Sequence, residues 1–259
     1  MSNVVERDTG LGRFPKAYAY FCLYFGLFAL ALICLTWTPF ALVLQALLPK
    51  QIARPVGRRG ITYGFRLYLW ILTAVGACRF DLSALDRLRD AGPMILAPNH
   101  PSLLDAVMII SRLPNIACIM KAELMGNLLL GAGARLAGYI PNKHPRAMIK
   151  AACRDLDQGG QLLLFPEGTR TTRPPINPLV PATGAIARLA EVPVQTILIE
   201  TSSAFLAKGW PLFRCPEMPL QYRVRLGRRL DPPGKGQDLG PMLEDYFHGV
   251  LSTRQAGAR

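Results

Sequence analysis

Residues 93–105 read PMILAPNHPSLLD: an apolar run ends on Asn99-His100, and Asp105 follows five places after the histidine. Two readings fit an imidazole and a carboxylate at that spacing. In the first, Ser102-x-x-Asp105 is a capping box, with Ser102 as N-cap and the acid in the first helical turn; His100 is then incidental. In the second, that same turn carries Asp105 back beside the imidazole. A carboxylate that accepts from one ring nitrogen fixes the tautomer and leaves the other nitrogen free to take a proton from a hydroxyl. The two are compatible, because the capping geometry is what delivers the acid.

A second set of polar residues follows another short apolar run, at LLFPEGTR, residues 163–170. Pro166 ends strand pairing and Gly168 permits close backbone approach, so Glu167 and Arg170 are delivered at a strand end. Arg170 offers a planar fork for a phosphate; the plainer reading is a surface loop holding a Glu–Arg pair of small energetic value.

The elements needed to position these residues are legible in the pattern beyond about Asp81. Short apolar runs at 94–97, 116–121, 138–141, 161–165, 194–200 and 222–226 read as strands. Longer amphipathic runs at 103–111, 125–137, 145–158, 183–190 and 239–251 read as helices. Pro145 suits a helix start and Gly159-Gly160 a helix stop. The alternation predicts an α/β fold with a mixed central sheet flanked by helices. Both polar sets then lie at the carboxyl edge of the sheet, where open α/β sheets bind ligands.

The N-terminal part has another character. Hydrophobic residues make up 51% of the 259-residue chain, and residues 17–49 carry no charge. The run 17–38 meets the ~20 residues needed to cross a bilayer, and Pro39 should end or kink that helix. One spanning helix, or a hairpin dipping into one leaflet with 40–48 as its return arm, both fit. From residue 9 to residue 80 there is no acid, while Arg13, Lys16, Lys50, Arg54, Arg58, Arg59, Arg66 and Arg79 are all basic. A basic belt beside an apolar segment points to an anionic membrane surface on the cytoplasmic side. The basic residues do not interleave with aromatics as nucleic-acid recognition would need. The apolar stretch 67–78 is too short to span and belongs at the interface or on the core. The six cysteines are scattered, as in a reducing compartment. No P-loop occurs, His144 and His248 lack metal-ligand spacing, and no metal or other cofactor is expected. The chain therefore divides into a polar segment 1–16, a membrane-anchoring region 17–80, an α/β domain 81–252 and a tail 253–259.

Asn99-His100-x-x-x-x-Asp105 followed some sixty residues later by Phe165-Pro-Glu-Gly-Thr-Arg170 resembles the glycerolipid acyltransferase family that includes lysophosphatidic acid acyltransferases. The likeness spans roughly residues 90–202. It implies that His100 is the general base and Asp105 its orienting acid. It further implies that Lys121, Glu167, Gly168 and Arg170 bind the acceptor, with Lys143 standing where the family usually has arginine. The family's fourth block is typically Val-Pro-Val-x-Pro; here 192–196 reads VPVQT, without the second proline. The activity implied is transfer of an acyl group from a coenzyme A or acyl-carrier-protein thioester to a lysophospholipid hydroxyl, the default being 1-acylglycerol-3-phosphate. The rivals are a thioesterase using the same His–Asp pair, an acyltransferase for a specialised acceptor without phosphate, and a basic lipid-binding scaffold without chemistry. Ser102 is not a covalent nucleophile on this reading, since no Gly-x-Ser-x-Gly elbow occurs. Oligomeric state is not legible.

Overall fold

The computed structural model describes residues 15–234 and 237–257, with side chains as far as 252. Residues 1–14, which hold most of the expected polar segment, and residues 258–259 of the expected tail lie outside the described residues.

The strands are β1 (Cys78–Asp81), β2 (Met94–Pro98), β3 (Ile116–Met120), β4 (Ile140–Pro141), β5 (Gln161–Leu163), β6 (Val194–Thr201) and β7 (Leu220–Leu230). They form one seven-stranded sheet in the order β1-β7-β6-β2-β5-β3-β4. All neighbours are parallel except β6 and β7, so the sheet is mixed, as expected. The strand β2 is buried along its whole length. Met94 and Leu96 face one core and Ile95 and Ala97 the other, the continuous apolar run of a strand covered on both sides.

The helices are α1 (Lys16–Leu47), α2 (Lys50–Ala74), α3 (Leu104–Arg112), α4 (Gly131–Leu136), α5 (Pro145–Asp157), α6 (Ala182–Ala190) and α7 (Leu239–Gly257). Helices α2 and α3, with Tyr68, Leu72, Met108 and Ile109, cover one face of the sheet. Helices α5, α6 and α7, with Ala152, Leu156, Ile186, Leu243 and Phe247, cover the other.

Four expectations are corrected. Helix α1 runs through Pro39 to Leu47, so 40–48 is not a return arm; the return arm is α2, after a turn at Leu48-Pro49. Near the proline, the hydroxyls of Thr36 and Thr38 donate to the carbonyls of Leu32 (2.8 Å) and Cys34 (2.9 Å), bonds that do not replace the one the Leu35 carbonyl loses at Pro39. The stretch 67–78 divides, its first part closing α2 and its end opening β1, an unexpected strand that pairs with β7. The expected helix 125–137 survives only as α4, because the Asn127 side chain accepts from the N–H groups of Leu129 and Leu130 and makes a turn there. Helix α7 passes the expected helix end at 251 and reaches Gly257.

The basic belt is also redistributed. Lys50 and Arg59 are exposed, but Arg58 is buried, 5% exposed, between α2 and the sheet domain. Its guanidinium donates to the Ala137 carbonyl (3.1 Å), to Asn115 Oδ1 (3.1 Å) and to Asp155, its buried ion-pair partner. Gly57 allows this close approach: a Cβ there would lie 2.6 Å from the Ala137 nitrogen. Arg58 is therefore a fastener and not a headgroup contact. Removing one partner of a buried pair costs about 3–5 kcal/mol, because the other charge is left uncompensated. Arg58→Ala is expected to lose that much in denaturant unfolding in detergent, whereas Arg59→Ala should stay within about 0.5 kcal/mol of the parent.

Candidate active site

The site begins where β2 stops. Pro98 ends the apolar run, and Asn99 then pins the turn to β6: its Oδ1 accepts from Ile199 N–H (2.7 Å) and its Nδ2 donates to the Ile199 carbonyl (3.0 Å). Strand β2 lies between β5 and β6, and the chain leaves β2 toward β3 on one side but leaves β6 toward β7 on the other, the kind of switch point at which open sheets bind ligands.

His100 Nδ1 lies 2.8 Å from Asp105 Oδ2, and Ser102 N–H donates to the same oxygen at 2.8 Å. An oxygen already accepting a backbone N–H favours a donor from the ring, so the proton sits on Nδ1 and Nε2 keeps a free lone pair. The imidazole stacks on Phe165 with centroids 3.7 Å apart and planes at 21°. Asp105 is fully buried, and its Oδ1 has no partner. Burial pushes its carboxyl up to about 6, against the opposing pull of His100 and the Ser102 N–H. Both readings of this stretch hold in part. Helix α3 starts at Leu104, so Leu103 and not Ser102 is its N-cap; Ser102 Oγ accepts from Leu104 N–H (3.3 Å) just before it, and Asp105 serves both the Ser102 N–H and the histidine.

The end of β5 is tied to the same turn. Thr171 N–H donates to the His100 carbonyl (2.8 Å), and His100 N–H donates to Glu167 Oε1 (2.9 Å). Glu167 also accepts from Thr171 Oγ1 (2.7 Å) and Asn177 N–H (2.9 Å) and is 4% exposed. Three hydrogen bonds tie Glu167 to the catalytic turn and the loop after it, which gives it a positioning role beside the acceptor contact expected of it. No Glu167–Arg170 pair forms. Arg170 Nη1 donates instead to the carbonyls of Leu206 (2.8 Å) and Ala207 (3.0 Å), leaving its other nitrogens to a ligand. Gly168 is exposed with φ of 65°, a left-handed turn that suits glycine.

Lys121 follows β3 and Lys143 follows β4, both exposed. Asn142 joins the two ends: its Oδ1 accepts from Ala122 N–H (3.1 Å). Since β2, β5, β3 and β4 are parallel neighbours, their carboxyl ends line one edge in that order. Strands lie about 4.8 Å apart, which sets Lys121 about 10 Å and Lys143 about 14 Å along the edge from the histidine's strand.

Thr171 and Asn177 carry no signal in the sequence, and Asn99 enters there only as part of the motif, without a role. Asn177 fastens the 170–177 loop, its Oδ1 accepting from Thr172 N–H, Thr172 Oγ1 and Arg173 N–H and its Nδ2 donating to the Arg170 carbonyl. Thr196, which stands where the fourth block usually has proline, is fully buried and donates to the Arg228 carbonyl (2.7 Å) beside an irregularity in the β6–β7 pairing. That departure belongs to the sheet and not to the site.

Residues 79–200 match the family described as Acyltransferase. That match takes in both polar sets, from His100 and Asp105 to Glu167 and Arg170. Among curated proteins, the chain is 34% identical over 104 residues to a 1-acyl-sn-glycerol-3-phosphate acyltransferase of Helicobacter pylori (strain J99), an alignment covering 36% of this chain and 44% of that one. It is 25% identical over 198 residues to the chloroplastic 1-acyl-sn-glycerol-3-phosphate acyltransferase BAT2 of Brassica napus, covering 73% of this chain and 54% of that one. The chain thus spans about half the length of the curated relatives it matches. Its fold is similar to that of PlsC, the 1-acyl-sn-glycerophosphate acyltransferase of Thermotoga maritima: the TM-score is 0.68 at 20% identity, covering 94% of this chain and 98% of that one.

Proposed function

We propose that the chain transfers an acyl group from a thioester to the hydroxyl of a phosphate-bearing lysolipid, by default 1-acylglycerol-3-phosphate. The observation that carries this is the 2.8 Å bond between His100 Nδ1 and a fully buried Asp105 at the sheet edge that also bears Arg170 and Lys121. His100 Nε2 takes the acceptor's hydroxyl proton as the oxygen attacks the thioester carbonyl. The C–O bond forms, the C–S bond breaks, and the imidazolium returns its proton to the departing thiolate. Asp105 steadies the imidazolium in between. Arg170 and Lys121 hold the phosphate, with Lys143 a more distant charge, and Gly168 keeps the rim clear of side chains. The donor is a coenzyme A or acyl-carrier-protein thioester, and the family names of the matched relatives support the acceptor class.

The chain works at a membrane on this reading. Among the described residues α1 is the one helix long and apolar enough to cross a bilayer, and 17% of its most apolar stretch is buried. That argues against a buried core helix. Yet α1 touches the sheet domain both at Tyr24, whose ring lies 6.2 Å from that of Phe213, and at Thr38, which donates to the Leu128 carbonyl (3.2 Å). These points are about 21 Å apart along the helix, so a span would draw the domain into hydrocarbon. A hairpin lying in one leaflet fits, with exposed Lys50 and Arg59 facing anionic headgroups. Six unpaired cysteines favour the cytoplasmic side.

Arg170 distinguishes transfer from hydrolysis. Arg170→Lys keeps a charge and one donor for the 206–207 carbonyls but loses the planar fork. It is expected to raise KM for a phosphate-bearing acceptor about 10- to 100-fold with a smaller change in kcat, read from initial rates. Equal effects on transfer and on hydrolysis of the thioester by water would favour the thioesterase.

A further inference from the structure

The connection from β6 to β7, residues 202–219, has an inner and an outer part. The inner part roofs the catalytic turn. Ser102 Oγ donates to the Phe205 carbonyl (3.0 Å) and Leu103 N–H to the Leu206 carbonyl (3.2 Å), while Arg170 Nη1 donates to the carbonyls of Leu206 and Ala207. Leu206 holds φ at 58°, a left-handed conformation that leucine adopts only when its surroundings impose it. Phe205 is buried beneath it.

The outer part faces away from the domain. Leu212 and Phe213 are 46% and 63% exposed. Lys208 and Arg214 flank them, also exposed, and Glu217 is the one acid in 202–219. The Arg214 guanidinium lies 4.7 Å over the Trp210 ring, whose Nε1 donates to the Arg214 carbonyl (3.1 Å). Phe213 stacks on Tyr24 of α1, and Tyr20, Phe21 and Phe28 continue the exposed apolar surface along that helix. An apolar tip between two cations, with a tryptophan at its base, is the composition of a segment that lies among lipid headgroups.

We propose that the 208–214 tip is a second lipid-contacting element, continuous with the α1 surface, and that its docking on an anionic bilayer holds the 205–207 segment, and through it Arg170 and the catalytic turn, in working geometry. This rests on the membrane-bound transferase reading and adds to it a named surface and a coupling. Seated on lipid, the tip cannot withdraw, and the three carbonyls that meet Ser102, Leu103 and Arg170 stay in place.

The test uses the full chain carrying L212S and F213S together, neither residue being part of the catalytic machinery. Transfer is measured to one acceptor headgroup presented in vesicles of phosphatidylcholine and phosphatidylglycerol, and to a short-chain version dissolved below its micelle concentration. The expected result is a fall of about tenfold or more on vesicles with less than about a twofold change on the dissolved acceptor. An equal fall on both would show a merely structural tip, and no fall on vesicles would show no lipid role; either overturns the proposal. A second measurement does not need turnover. Quenching by brominated lipids is compared between the parent and W210F, so that the difference reports Trp210 alone. Quenched Trp210 supports lipid contact, and unquenched Trp210 on vesicle-bound protein overturns it, as it would if a protein partner covered the tip. A parent that transfers no acyl group but shows quenched Trp210 would retire the transferase reading and keep the lipid contact.

Discussion

His100→Ala removes acyl transfer, with kcat/KM expected to fall by about 10³-fold or more while the protein stays folded. The loss follows from one atom: Nε2 is the base that the turn presents, because Asp105 Oδ2 is taken by His100 and Ser102 and the whole carboxylate is buried. General-base assistance of this kind is worth about 10²–10⁴-fold, and what survives is positioning of the two substrates. The fold should persist, because the imidazole is part of the site's rim, its side chain 14% exposed, and because Asp105 can accept a proton once its partner is gone. His248→Ala, on the exposed side of α7, should leave kcat/KM unchanged. Initial rates with purified proteins, alongside thermal melts, check both.

Asp105→Asn should cost about 10²–10⁴-fold in kcat/KM, yet not destabilise the protein at neutral pH. An asparagine oxygen in the place of Oδ2 still accepts from Ser102 N–H and His100 Nδ1–H, so the tautomer is kept and the charge that steadies the imidazolium is what disappears. The stability effect has the opposite sign to that of a surface ion pair. Burial raises the Asp105 carboxyl from an ordinary 3.8 to about 6, so the folded state binds a proton more readily than the unfolded chain. The contribution to stability is therefore full below about pH 4 and is lost as pH rises through about 6. At about 1.4 kcal/mol per unit, the parent should lose roughly 2–3 kcal/mol over that window relative to D105N. Denaturant unfolding at pH 4 and pH 7 measures the difference. The same titration gives kcat/KM an acidic limb near pH 6, since a protonated Asp105 no longer carries the charge that steadies the imidazolium.

Much of the site was legible because its chemistry is local. His100, Ser102 and Asp105 lie within six positions, and an apolar run that stops on Pro-Asn-His announces a strand end. What stayed hidden depends on distant partners. Asn99 is explained by the backbone of Ile199, a hundred residues on. Glu167 reads only as an acceptor ligand, because its bonds to Thr171, Asn177 and the His100 N–H form on folding. Arg58 looked like one more headgroup contact because nothing in its helix reveals Asp155, ninety-seven positions away. The membrane-side errors have a similar origin. A proline in an apolar run leaves open whether the helix ends, since the loss of one backbone bond can kink a helix without stopping it, and α1 continues. The strand β1 was masked by the apolar residues of α2 that precede it, since a short buried strand and a helix end share one composition.

The most direct test of His100 as the base incubates detergent-purified parent and H100A proteins with an isotopically labelled acyl thioester and a panel of lysolipids, then identifies the products by mass spectrometry. Base catalysis at His100 predicts a labelled diacyl product from a phosphate-bearing acceptor with the parent, and background levels with folded H100A. Undiminished diacyl product from H100A, or labelled free fatty acid as the parent's only product, would contradict it.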